Sequence, residues 1–213
     1  MLNTPIGDIA RDQPSSTRVF LRHKLDFCCG GRRPLVDACH KAGLDPDEIV
    51  RELRDAESTP AHPKSRTPAE LCRFIVENYH DPLRRDVPSL IEAARKVERV
   101  HAGKPDVPAG LAAELETFWA EMQPHMMKEE NVLFPLLSRG AIGAQVAMPI
   151  LVMQGEHDEH AVHLANIRKL TGDLQIPAHA CATWQALYRG LVVMESDLMH
   201  HIHLENNVLF RVG

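Results

Sequence analysis

His125-Met-Met-Lys-Glu129-Glu-Asn-Val-Leu-Phe134 and His201-Ile-His-Leu-Glu205-Asn-Asn-Val-Leu-Phe210 are near copies of one another, identical at six of ten positions. Each copy sets a histidine four residues before a glutamate. On a helix, positions i and i+4 lie on one face, one turn apart. Each copy therefore offers an imidazole and a carboxylate to one point in space, and these are ligands for a first-row transition metal. Two such copies predict two metal ions, or one site built with two-fold pseudosymmetry.

The 213 residues suffice for one large domain, or one large and one small. Aromatic residues make up only 5% of the chain, and Ala, Leu, Met, Glu and Arg dominate its central stretches, which favours helix over sheet. The thirteen histidines are concentrated in the second half, where the repeat ends. Net charge is −5 with both signs interspersed, which argues against nucleic acid as a partner. No apolar run approaches the roughly 20 residues that cross a bilayer, and the N-terminus carries no apolar signal core. The expectation is a cytoplasmic protein with no membrane partner. Five cysteines, at 28, 29, 39, 72 and 181, are odd in number and irregularly spaced, so they do not read as a disulfide framework.

Breakers divide the chain. Residues 1–57 read as a small helical domain with segments near 8–11, 15–24, 34–41 and 46–55. The last of these is capped by Asp45 with Pro46 at its first position. Phe27-Cys28-Cys29-Gly30-Gly31 is a turn between the second and third. Residues 58–66, rich in Pro and polar side chains, read as a linker. Residues 67–213 then hold four helix-length stretches, about 68–101, 109–138, 149–172 and 180–211, joined by short Gly- and Pro-rich connections. Pro82, Pro88 and Pro124 fall inside them and should bend or locally break them. The predicted fold is all-α: an up-down-up-down four-helix bundle preceded by a small helical domain.

The repeat extends beyond its core, because His80-Asp81 and His157-Asp158 stand 77 residues apart, close to the 76 that separate His125 from His201. Two residues on antiparallel neighbours are level when the turn lies midway between them. The midpoint of 80 and 125 falls beside the Gly103–Gly110 turn, and that of 157 and 201 beside Pro177. Four histidines (80, 125, 157 and 201) and two glutamates (129 and 205) are thus expected to converge in the bundle core, where such folds house metals. Two His per ion with two bridging Glu suits iron better than a structural zinc site. His101 lies 21 residues after His80, roughly 31 Å along a helix, and is assigned to the hairpin tip. His160 is one turn from His157, but its repeat counterpart is Leu83, so it is left outside the six. His200 and His203 are expected to face solvent or to stand behind the ligands. Met126 and Met127 are expected as core fillers, Glu121 and Glu156 as partners behind the histidines, and Cys39, Cys72 and Cys181 as packing residues.

This His…His-x-x-x-Glu…His…His-x-x-x-Glu arrangement resembles the hemerythrin-like (HHE) di-iron bundle. Asp26-Phe-Cys-Cys-Gly-Gly31, Tyr79-His-Asp81, Lys96-Val-Glu-Arg-Val-His-Ala102, the first repeat copy with Pro135, Glu156-His-Asp-Glu-His160 and Leu204 to Phe210 are closer still to one branch. Together they resemble the repair of iron centres (RIC) family, of the YtfE/ScdA/NorA type, over nearly the whole chain. The resemblance implies a pair of non-haem iron ions, with His80, His125, His157 and His201 as terminal ligands and Glu129 and Glu205 as bridges. It implies a cytoplasmic role under nitrosative and oxidative stress, in which iron is supplied to damaged iron-sulfur proteins. Alternatively, nitric oxide or dioxygen is bound, or nitric oxide is reduced. A homodimer is compatible with it, and whether the protein is an enzyme stays open. For Cys28 and Cys29 it implies iron transfer or redox contact with the metal site. The neighbouring Arg32 and Arg33 predict lowered thiol pKa values there, the alternative being a buried turn of small residues.

Overall fold

In the computed structural model, ten α-helices, two π-helical turns and one 3-10 turn account for most of the chain, with no strand among the described residues, 1–56 and 67–211. The expected linker, residues 58–66, lies outside the described residues. Helices α1 (Ile6–Asp12), α2 (Ser16–Arg22), α3 (Leu35–Ala42) and α4 (Pro46–Ala56) form an N-terminal unit. It has its own apolar core of Ile6, Phe20, Phe27, Leu35, Ile49 and Leu53, each at most 1% exposed.

Four long rods follow. The first is α5 (Pro68–Ile75), a π turn (Val76–His80) and α6 (Asp81–Val100). The second is α7 (Leu111–Lys128), a π turn (Glu129–Leu133) and α8 (Phe134–Ser138). The third and fourth are α9 (Ala144–Leu170) and α10 (Ala182–Asn207), the latter ending in a 3-10 turn (Leu209–Arg211). The first rod packs on the second and fourth, and the second packs on the third, closing an up-down-up-down bundle.

Thr67 starts the first rod with a capping box: its hydroxyl accepts from the Glu70 amide, and the Glu70 carboxylate accepts from the Thr67 amide. α9 begins five residues before Pro149, where the third stretch was expected to start. Gly143, at φ +60°, turns the chain so that the helix opens at Ala144 and runs through the proline. The bundle core is held by Leu115, Phe118, Met122, Trp184, Leu191 and Leu198, all fully buried. Each such side chain stabilises the fold by about 1.5–3 kcal/mol relative to exposure.

Candidate metal centre

The two π turns sit at the heart of the bundle. One ends at His80 and the other begins at Glu129. A π turn inserts one residue into the helix and re-aims the side chains on either side of it, which is why such turns concentrate at functional sites. Each is followed by a proline at the start of the next helix, Pro82 and Pro135. The shifted ladder supplies the place where a missing N–H is tolerated.

His80, His125, Glu129, His157, His201 and Glu205 are all at most 1% exposed, and they converge. Their ligand atoms form two groups, each within 4.8 Å: His80, Glu129, His201 and Glu205; and His125, Glu129, His157 and Glu205. Both carboxylates belong to both groups, so they lie between two cation positions. The Nε2 atoms of His80 and His201 are 3.0 Å apart. His157 Nε2 lies 3.1 Å from Glu205 Oε2, and His125 Nε2 lies 3.4 Å from Glu129 Oε2. Each pair of histidines crosses between the two halves of the repeat. His80 on the first rod meets His201 on the fourth, and His125 on the second meets His157 on the third.

Behind the ring nitrogens that face inward, partners hold the other side. His80 Nδ1 donates to Glu130 at 2.6 Å, and Arg84 grips the same carboxylate at 2.5 Å. His125 Nδ1 donates to Glu156 at 2.8 Å, with Lys128 on that carboxylate. His157 Nδ1 donates to Asn206 at 3.1 Å. His201 Nδ1 has no hydrogen-bond partner among the described residues; its ring lies flat against Tyr79, centroids 5.9 Å apart. An N–H fixed in this way presents the opposite nitrogen's lone pair inward and makes it more basic.

Whether these residues fit a cation is decided by their unmet polar atoms. Both oxygens of Glu129, Glu205 Oε2, His125 Nε2 and His157 Nε2 are buried without a hydrogen-bond partner among the described residues. Leaving a carboxylate so costs several kcal/mol unless a cation pairs with it. The close contacts among these atoms lack hydrogen-bond alignment, so they surround common points instead of bonding to each other. Without a cation, burial and the neighbouring Glu205 hold the Glu129 carboxyl well above its usual range. Burial pushes Glu205 upward as well, but His201 and His157 keep it well below. Burial and His157 drive the His125 imidazole strongly down, towards the neutral form that ligates. The donor set fits a pair of divalent ions.

Comparison with known proteins agrees with this geometry. Residues 74–212 match the hemerythrin HHE cation binding domain, and residues 2–57 match ScdA_N, a domain of unknown function (DUF542). The chain is 43% identical, over 98% of its length and 95% of theirs, to the iron-sulfur cluster repair protein YtfE of Yersinia pseudotuberculosis serotype IB and to that of Yersinia pestis strain Pestoides F. The chain belongs to the YtfE family. Its bundle is the cation-binding domain of that family, and no helix among the described residues is long and apolar enough to cross a membrane.

Around the centre of this YtfE-family chain, several residues stand where the sequence did not place them. Glu121 pairs with His163 at 2.9 Å, not with a member of the central six. Glu130, overlooked because it adjoins Glu129, takes the backing role instead. His200 and His203 carry the N-terminal unit: His200 Nε2 meets Thr17 Oγ1 at 3.0 Å, and His203 packs edge-on against Phe27. Met126 is buried, but Met127 is 58% exposed. Cys39 and Cys72 are buried, whereas Cys181 is exposed and meets His101 Nε2 at 3.2 Å at the hairpin end. His101 belongs to neither group of four. His160 is buried with its ring 4.7 Å from that of His125, and its Nδ1 is unpartnered.

Cys28 and Cys29 lie against the bundle, beside His157. Their sulfurs are 3.8 Å apart, and the Cys29 thiol donates to the His157 carbonyl at 3.3 Å. The expected lowering of the Cys28 thiol pKa by Arg32 and Arg33 does not occur. Cys28 is raised well above its usual value by its bond to Cys29, by burial and by Asp26. The Asp26 carboxylate holds the loop, accepting from the Cys29 and Gly30 amides at 3.0 and 2.9 Å.

Proposed function

We propose that the protein is a cytoplasmic non-haem di-iron protein that repairs iron-sulfur clusters damaged by nitrosative or oxidative stress, by supplying iron to them. His80, His125, His157 and His201 serve as terminal ligands, and Glu129 and Glu205 as bridges. The reading rests above all on one observation: two buried groups of four share both carboxylates and, among the described residues, leave five of their inner atoms, on Glu129, Glu205, His125 and His157, without a hydrogen-bond partner. It is supported by the family, whose relatives are named for cluster repair. Imidazole and carboxylate together suit iron. We place the domain division at residues 58–66, a reading supported by the matched regions on either side, 2–57 and 74–212. Damaged iron-sulfur proteins are the partners; a homodimer is compatible with the fold.

Each part of the chain has a task. Glu130 with Arg84, and Glu156 with Lys128, keep His80 and His125 aimed inward. The apolar core of the bundle excludes water from the pocket. When bound, a pair of irons supplies Lewis acidity and one-electron chemistry to a small ligand. The Cys29 thiol reaches the His157 carbonyl, and we assign Cys28 and Cys29 contact with iron in transit.

Incubating iron-loaded protein with a nitric-oxide-damaged iron-sulfur enzyme should restore its activity. Recovery no greater than that given by equal free ferrous iron refutes repair. The burial of all six side chains also favours a diatomic ligand over anything larger, so nitric oxide or dioxygen is the expected small ligand. Turnover to nitrous oxide with a reductant would make the protein a nitric oxide reductase; a stoichiometric nitrosyl would make it a binder.

A further inference from the structure

Glu130 and Asn206 occupy the same position of the internal repeat, each directly after one of the shared glutamates. Each reaches across to Nδ1 of a histidine on a neighbouring rod, Glu130 to His80 and Asn206 to His157. They differ in what else they can do. A carboxylate only accepts hydrogen bonds, and Glu130 also accepts from Arg84. A carboxamide accepts on one side and donates on the other. Asn206 Nδ2 donates to the carbonyl of Cys28 at 3.4 Å. A carbonyl can only accept, so this contact fixes the amide with its oxygen towards His157. Cys29 ties the same residue a second time, through its thiol on the His157 carbonyl at 3.3 Å.

We infer that Asn206 is a positioning residue that couples the Cys28–Cys29 loop to His157. Of the two cation positions, only that of His125 and His157 is then under the control of the N-terminal loop, and its ion is the one released first. The inference rests on the six-ligand reading proposed above. His80 and His125 are backed by carboxylates and cations of the bundle itself. His201 is covered by Tyr79. Among the described residues, none of these three side chains is hydrogen-bonded to the loop. If the loop shifts, Asn206 is free to turn and the His157 Nδ1–H loses its acceptor. Loss of such a backing partner lowers metal affinity about 10–100-fold.

The test follows iron leaving the loaded protein into a colorimetric ferrous chelator, in a Cys181→Ser background that removes the exposed thiol. Alkylating Cys29 with iodoacetamide, with the adduct verified by mass, should make one iron per chain leave at least tenfold faster and leave the other unchanged. Asn206→Leu should do the same without alkylation. Asn206→Asp keeps the acceptor for His157 and loses the donor to Cys28. Its own release rate then serves as the reference, and alkylation should no longer change that rate. Equal rates before and after alkylation, or both irons accelerating together, would overturn the coupling, and the alkylation arm needs no variant at Asn206. Sensitivity to alkylation persisting in Asn206→Asp would overturn the role of Asn206. A protein that passes and yet restores no damaged cluster keeps the coupling and loses the repair role. One that never loads two irons loses both this inference and the ligand reading.

Discussion

The two copies of the repeat supply the same pair of inward-facing side chains and differ in what covers them. The first copy, at 125–134, turns a solvent face outward: Met127 and Val132 are exposed, and Asn131 bonds only to its own helix, at Met127. The second, at 201–210, is covered by the N-terminal unit. His203 stands where Met127 does and packs on Phe27. Asn207, the counterpart of Asn131, donates to the Phe27 and Cys28 carbonyls. Gly7 and Gly31 lie so close to Asn207 that an added Cβ would come within 2.4 and 3.0 Å of its Oδ1. One copy contributes its inward-facing His–Glu pair alone; the other also carries the second domain. The divergence therefore tracks the interface, while the inward-facing pair stays constant.

The largest expected effect tests what the copies share. Since both carboxylates lie in both groups of four, Glu129→Leu and Glu205→Leu should each remove most of both irons; a variant that keeps two irons per chain with an unchanged spectrum breaks the shared-bridge account. Next comes the support behind the histidines. Glu130→Leu and Glu156→Leu should each weaken one ion about 10–100-fold, or about 1.4–2.7 kcal/mol, seen as the free iron level needed to fill the site. Effects of under twofold would show that those carboxylates are only surface partners.

The interface separates the copies further. Asn207→Ala removes two hydrogen bonds across the interface and should cost about 1–3 kcal/mol in urea unfolding, whereas Asn131→Ala should stay within about 0.5 kcal/mol. Equal costs would erase the contrast. The smallest effect concerns acid. Burial, with His200, lowers the His203 pKa to about 4. Between about pH 6.5 and 4 the unfolded chain then binds the proton and the folded chain does not, so stability falls as pH falls through that window. His203→Met, which restores the residue of the first copy, should reduce the loss between pH 7 and pH 5 by up to about 2 kcal/mol. An unchanged pH dependence would place His203 outside the interface's titration.

Much of this was legible in the residues. The i, i+4 spacing, the repeat interval and the turn positions locate all six inner side chains, because helical periodicity and hairpin lengths are local properties. What stayed hidden depends on backbone or distant contacts. The π turns at His80 and Glu129 follow from hydrogen-bond shifts that no residue type marks, although Pro82 and Pro135 stand just beyond them. The pairing of His80 with His201 needs the order of rods around the bundle, which short connections leave open. His200, His203 and Asn207 read as polar helix residues until the N-terminal unit is placed on them. Cys181 read as a packing residue because it adjoins an apolar helix; its place just ahead of α10 leaves it exposed.

The account stands or falls on the number and identity of the ions. The most direct measurement is elemental analysis of protein purified without oxygen, joined to X-ray absorption at the metal edge. Two irons per chain, each with imidazole and carboxylate donors and a neighbouring iron, is the predicted result. One ion per chain, or zinc in a closed tetrahedral site, would contradict it.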